Sequence, residues 1–284
     1  MAWGANLGGI GTLIGTPPNL VYAAFRQQTF GEEVYFLDWS VRIFPIAALL
    51  LVLAYLLLRR NLPKVDLRTI QWPEPEPWTS GEKRVAIIFT WTAIAWMTRP
   101  WLQSLVPNLQ LTDTWIGMLG AILLFAFRDH QRQPLLRWED AQKIEWGILL
   151  LFGGGMSLAS GMQASGWMEA LSTSNLDGWP PTLWVLLFTL LGVWTTELFS
   201  NMALVSGMLP IALAVSSAQG IPFEQLAIPL TVGASCAFML PMATPPNAIV
   251  FASGKIRIPD MARVGFWMNV LASLVIWGAI SLLY

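Results

Sequence analysis

Two apolar stretches of this chain are broken by the same four residues. Thr16-Pro17-Pro18-Asn19 recurs as Thr244-Pro245-Pro246-Asn247, 228 positions further on (244 − 16). A proline removes a backbone donor and turns the residue before it away from the helical region. Two consecutive prolines inside an apolar segment therefore end one half-helix, and the pair is well placed to start another. The carbonyls freed at the end of the first half-helix suit a small hard cation. The N–H groups opening the second suit an anion.

The surroundings of both copies are those of a membrane protein. Hydrophobic residues make up 55% of the 284 and charged residues only 12%, about half the charged share of soluble chains. Apolar segments cover 1–29, 39–58, 85–105, 114–127, 144–165, 181–218, 225–253 and 264–284. A spanning helix needs about 20 residues, so 181–218 is too long for one crossing. No cleavable signal is expected ahead of the first apolar segment, because Met1 is followed almost at once by a broken apolar stretch rather than a basic region. One cysteine, Cys236, excludes a disulfide framework, and one histidine, His130, excludes a multi-histidine metal site. A net charge of −1 gives nucleic acid nothing to bind.

The basic residues set the orientation. Six lie between Arg59 and Arg84, four between Arg128 and Lys143, and three between Lys255 and Arg263. The connections 106–113, 166–181 and 219–224 carry none. The positive-inside rule makes the basic side cytoplasmic. The first Pro-Pro segment then runs from inside to outside and the second from outside to inside. Segment 181–218 begins and ends outside. Its middle holds Glu197, Ser200 and Asn201 without a Lys or Arg, which fits a re-entrant hairpin with a polar tip inside the membrane. The stretch 64–84 is expected as a cytoplasmic linker, with Trp72-Pro73-Glu74-Pro75-Glu76-Pro77-Trp78 at the interface.

The expected fold class is thus an all-α polytopic membrane protein, an inverted-repeat secondary transporter with broken helices and a re-entrant hairpin. Broken helices at matching positions of inverted halves mark a transporter's substrate site. The expected divisions are 1–35, the end of the first repeat with its unwound loop; 36–165, four transmembrane helices; and 166–284, the hairpin 181–218, the broken helix 225–253 and the last helix 264–284. Asn201 precedes Asn247 by 46 residues (247 − 201), and the equivalent tip for Asn19 falls before Met1. The first repeat is therefore expected to be incomplete. No His-Glu-x-x-His, no paired aspartates inside a span and no Gly-x-Ser-x-Gly is present, so an enzyme is not expected.

Three stretches together resemble the divalent-anion:sodium symporters: residues 11–19, Ser200-Asn201-Met202-Ala203, and Met239 to Phe251. The resemblance corresponds to the C-terminal part of a typical member. It implies a homodimer in the plasma (inner) membrane that carries di- or tricarboxylates, or in some members sulfate, together with Na+ by an elevator movement. It assigns Ser200, Asn201 and Met202 to the second hairpin tip. Thr244 and Pro245 would line the substrate cavity, with Thr16 and Pro17 on its other side. Sodium would meet Gly15 in the first loop, and Thr196, Asn201 and Ala243 around the second. Met202 stands where the family has threonine, which would lose one hydroxyl contact worth about 1.5–3 kcal/mol.

The resemblance favours a succinate-like dicarboxylate. Sulfate is the second choice, because sulfate-type relatives often carry a cytoplasmic insert for which 64–84 is too short. A non-transporting membrane fragment is the other alternative. Glu197 is expected in a structural hydrogen-bonding role, Gly153-Gly154-Gly155 in close helix packing, and His130 in a solvated loop. The topology predicts that, with Cys236 removed, a cysteine near Arg132 is labelled only from the cytoplasm and cysteines near Asp177 and Gln219 only from outside. Labelling of the Arg132 and Asp177 positions from one face would break the assignment.

Overall fold

The computed structural model describes residues 1–61, 77–105, 111–143 and 178–284, with the scattered positions 147, 150, 153–154, 157, 160–161 and 164–166 between. The linker before residue 77, Gly155, Asp177 and much of the expected span 144–165 lie outside the described residues. The regular structure among the described residues is helical, apart from one isolated bridge between Arg128 and Pro134.

The helices are α1 (Ala2–Ile10), α2 (Pro17–Phe30), α3 (Phe36–Asn61), α4 (Ser80–Leu105), α5 (Asp113–Ala126), the single turn α6 (Trp138–Ala141), α7 (Pro181–Thr195), α8 (Asn201–Gln219), α9 (Phe223–Ala234), α10 (Pro245–Phe251) and α11 (Ile258–Leu283). Three described helices are long and apolar enough to cross a membrane, within α3, α8 and α11; α5 and α7 are apolar but shorter. Both Pro-Pro pairs open a helix, α2 and α10, with Thr16 and Thr244 as the extended residues before them. Segment 181–218 divides into α7 and α8, joined by residues 196–200. Gly31 and Gly220 end α2 and α8 with φ of 71° and 63°, which glycine adopts without a Cβ clash.

The chain forms two compact units: residues 1–34, 39–62 and 147–284 make the first; 35–38 and 63–146 make the second. In the first unit, α9 lies between α7, α8, α11 and α2. Residues 226–238 of this unit are almost wholly buried. Lipid tails are as apolar as leucine, so helices in a membrane gain by close backbone approach rather than by hiding apolar surface. Gly192 of α7 supplies that approach: a Cβ there would sit 2.6 Å from the Leu230 carbonyl oxygen of α9. Gly265 does the same for α11, where a Cβ would lie 2.3 Å from the Phe238 carbonyl oxygen.

In the second unit α4 packs on α5. Arg99, only 3% exposed, pairs with Asp113 at 3.0 Å, donates to the Leu111 carbonyl at 2.8 Å and lies 4.9 Å over the Tyr35 ring. A buried guanidinium is tolerable only when paired and hydrogen-bonded in this way. His130 is exposed, as expected of a loop residue.

Gly192→Val is expected to lower stability by about 1–3 kcal/mol through overpacking against α9. Thermal unfolding of the detergent-purified protein measures this. An unchanged midpoint would remove the α7–α9 backbone contact from the account.

Candidate functional site

Helix α1 ends at Ile10 and α2 begins at Pro17; helix α9 ends at Ala234 and α10 begins at Pro245. Each gap leaves backbone groups without helical partners, and buried backbone groups must be satisfied. The asparagine of each motif does this. Asn19 Nδ2 donates to the Thr12 carbonyl at 2.9 Å and to the Ile10 carbonyl at 3.5 Å. Asn247 Nδ2 donates to the Leu240 carbonyl at 3.2 Å and to the Ala237 carbonyl at 3.0 Å. Both asparagines are fully buried. Each carboxamide therefore reaches back across its own break and holds the unwound strand to the helix that follows. Trp39 Nε1 of α3 adds a bond of 3.0 Å to the Ile10 carbonyl.

The second break also has an anionic brace. Glu197, in the α7–α8 turn, is 5% exposed. Its Oε1 accepts from the backbone N–H groups of Phe238 (2.7 Å) and Met239 (2.9 Å) and from Asn269 Nδ2 (2.9 Å). Its Oε2 accepts from Leu240 N–H at 3.0 Å. Three consecutive N–H groups thus converge on one carboxylate, an anion nest built from the unwound backbone. With those N–H groups turned to Glu197, the carbonyls of Ala237 and Leu240 turn to Asn247. Glu197 has the structural role expected from the sequence. Asn269, on α11, was not legible there.

Next to Glu197 lies an oxygen cluster. Thr196 Oγ1 stands 2.7 Å from Asn201 Oδ1 and 2.6 Å from the Ala234 carbonyl oxygen. Both neighbours accept, and a hydroxyl has one proton. Thr196 and Asn201 are brought together as expected. Ala234, the carbonyl that ends α9, is an addition that only the break could have suggested. Ala243 lies within the same unwound segment, half-buried.

The two breaks also meet. Asn6 Nδ2 of α1 donates to Thr244 Oγ1 at 3.1 Å and to the Ala237 carbonyl at 3.2 Å. Thr16 Oγ1 and Ser235 Oγ lie 3.3 Å apart. Each threonine of a Thr-Pro-Pro-Asn motif thus bonds a residue at or near the other broken helix. Gly15, Pro17, Ser200 and Pro245 are exposed, Thr16 and Asn201 half-buried, and Thr244 and Met202 buried. The expected residues from both loops and from the α7–α8 turn therefore share one unit. Gly15 approaches Gly9 so closely that a Cβ would fall 2.3 Å from the Gly9 carbonyl oxygen.

A family model decides the relationship. The family is the sodium:sulfate symporter transmembrane region, and its model matches residues 1–284. The chain belongs to this family. Its members are membrane transporters and not enzymes. A sodium-dependent dicarboxylate transporter of Staphylococcus saprophyticus is 36% identical over 291 residues, covering 97% of this chain and 56% of the relative. Its namesake in Staphylococcus aureus strain NCTC 8325 is 35% identical with the same coverage. The chain spans about half the length of these relatives.

Glu197→Gln is expected to destabilise the protein by about 1.5–3 kcal/mol, the worth of a hydrogen bond to a charged group. In either orientation the amide nitrogen would face at least one backbone N–H. Thermal unfolding measures the loss; a variant as stable as the parent would show that the nest is not held by charge.

Proposed function

We propose that the protein is a sodium-coupled secondary transporter of small dicarboxylates of about the size of succinate, working as a multi-pass homodimer in the plasma membrane. In this reading α1–α2 and α9–α10 are the broken helices of two inverted repeats, and α7–α8 is a re-entrant hairpin with Ser200-Asn201 at its tip. The observation that carries the reading is the joining of both Thr-Pro-Pro-Asn breaks, through Asn6–Thr244 and Thr16–Ser235, beside the Thr196–Asn201–Ala234 oxygen cluster. Two breaks that served only as kinks would have no need of one another.

The oxygen cluster suits sodium. Thr196 Oγ1, Asn201 Oδ1 and backbone carbonyls, Ala243 among them, are neutral oxygen donors for a hard cation. Glu197 adds a negative charge beside it without occupying it, since its oxygens are held by N–H groups. In the first loop Gly15 plays the corresponding part. The dianion would meet Ser200, Asn201, Thr244 and Pro245 from one side and Thr16 and Pro17 from the other. The N–H groups that open α8 have no side-chain cap and are free to meet an anion; α2 opens on two prolines, which have no N–H, so on that side the Thr16 hydroxyl is the donor. No fixed cation is needed, because co-bound sodium supplies the counter-charge. The relatives' names favour a dicarboxylate; the family description favours sulfate as the second reading.

Met202 stands where the resemblance puts a threonine at the tip. It is 7% exposed, no more closed than Thr244 at 4%, and its thioether is only a weak acceptor, so one hydroxyl contact to the dianion is missing. Met202→Thr is accordingly expected to tighten the apparent affinity for succinate by about tenfold or more, the scale of one recovered hydrogen bond to a charged group. An unchanged affinity would take the Met202 side chain out of the substrate shell.

Sodium-driven uptake of labelled succinate into proteoliposomes tests the whole reading. Asn201→Ala is expected to abolish uptake without lowering the amount of folded protein, because cation and anion both lose a contact. Near-normal uptake by that variant would remove residues 200–202 as the binding tip. Stronger competition by sulfate than by dicarboxylates would move the assignment to the inorganic anion. No uptake by the folded, unaltered chain would favour the non-transporting fragment.

A further inference from the structure

The hydroxyl of Thr244 already accepts two hydrogen bonds. One comes from its own helix: as the residue before α10 it takes the Asn247 N–H, at 3.4 Å. The other comes from Asn6 Nδ2 at 3.1 Å, a residue 238 positions away on α1. A hydroxyl offers two lone pairs and one proton. With both lone pairs engaged, Thr244 has only its proton left to give. Asn6 is held for this task. It is 8% exposed, and the same nitrogen also donates to the Ala237 carbonyl at 3.2 Å, so both protons of its amide are spoken for. Rotation of the amide would set its oxygen against the Ala237 carbonyl oxygen.

The matching threonine differs. Thr16 makes no side-chain cap bond to Asn19 N–H, and its partner is the Ser235 hydroxyl, where either oxygen can donate. Position 6 corresponds to Ala234 under the 228-residue offset of the motifs, so no amide stands at the equivalent place. One threonine is amphoteric and the other is not.

We propose that Asn6 is a positioning residue that fixes the Thr244 hydroxyl as a pure donor, so that the site takes a fully ionised carboxylate at this point and discriminates against a neutral group that must itself donate. The inference rests on the placement of Thr244 against the substrate given above. A carboxylate only accepts hydrogen bonds, whereas a primary carboxamide has two N–H groups to satisfy. Facing a hydroxyl with no lone pair to offer, the carboxamide leaves a donor unpaired, and unpaired buried polar groups are costly.

The test compares succinate with its monoamide, succinamate, as sodium-dependent ligands of the purified full chain at pH 7.5, by equilibrium binding of the labelled compounds. The unaltered protein is expected to prefer succinate. Asn6→Ala frees a lone pair on Thr244, and the preference should fall by about tenfold, with succinate weakened more than succinamate. Asn6→Asp keeps the shape of asparagine and decides the matter if the alanine variant does not fold. Its carboxylate would take the Thr244 proton and repel the dianion, so the preference should fall further than in Asn6→Ala. A merely structural brace would weaken both ligands equally: an unchanged ratio in the folded variants overturns the proposal and leaves the transporter reading standing. Absence of sodium-dependent binding by the unaltered, folded chain would instead overturn the placement of substrate at Thr244 and this inference with it.

Discussion

A broken helix inside a membrane has no water to turn to. The carbonyls released before a Pro-Pro pair and the N–H groups of the unwound residues must find partners in the protein, at a cost of several kcal/mol for each group left bare. In this chain that constraint organises the first unit. Asn19 and Asn247 each hold two carbonyls of their own break, and Glu197 takes three N–H groups of the second. Glycines at 192 and 265 let α9 and the unwound residues after it pass close to α7 and α11. Remove the break and none of these residues has a reason to be polar, small or buried where it is.

The same accounting explains where a ligand can enter. A carbonyl or hydroxyl whose bonding is complete has nothing to offer. Most polar groups around the second break are complete, Glu197 among them. Asn247 Oδ1 and Asn269 Oδ1 are buried acceptors without a hydrogen-bond partner; among the other exceptions are the Thr196–Asn201–Ala234 cluster, with acceptors in excess of protons, and the Thr244 hydroxyl, with a proton in excess of acceptors. Excess acceptors suit a cation and an excess donor suits an anion. The two lie on the same unwound segment, one at its beginning and one at its end. A cation and an anion bound there would each lower the other's cost of leaving water.

Much of this was legible in the sequence because proline punctuates so strongly. Both Pro-Pro pairs lie where helices restart, the division of 181–218 falls at Ser200-Asn201, and α3, α4, α5 and α11 start and end within a few residues of the apolar runs. The partners of the breaks were not legible. Asn6, Ser235 and Asn269 sit among apolar neighbours with no motif to flag them, and their roles depend on contacts between residues 72 to 238 positions apart. The buried Arg99–Asp113 pair escaped for a similar reason: Arg99 looks like an end-of-span residue until α5 brings Asp113 to it. Exposure also separated residues that the motif groups together, burying Met202 while leaving Ser200 open.

Identical tetrapeptides do not make identical sites. Thr16 and Thr244 share their neighbours in sequence and their extended backbone, with φ of −147° and −144°. Their hydroxyls nonetheless differ in bonding capacity, because one partner of each comes from the other broken helix and that partner is an amide in one case and a hydroxyl in the other. The chemistry of each break is therefore set half by its own motif and half by its opposite number. A chain with two such breaks can keep the geometry of both fixed by the Pro-Pro-Asn frame while dividing donor and acceptor work between them. That division is what a site for a cation and an anion together requires.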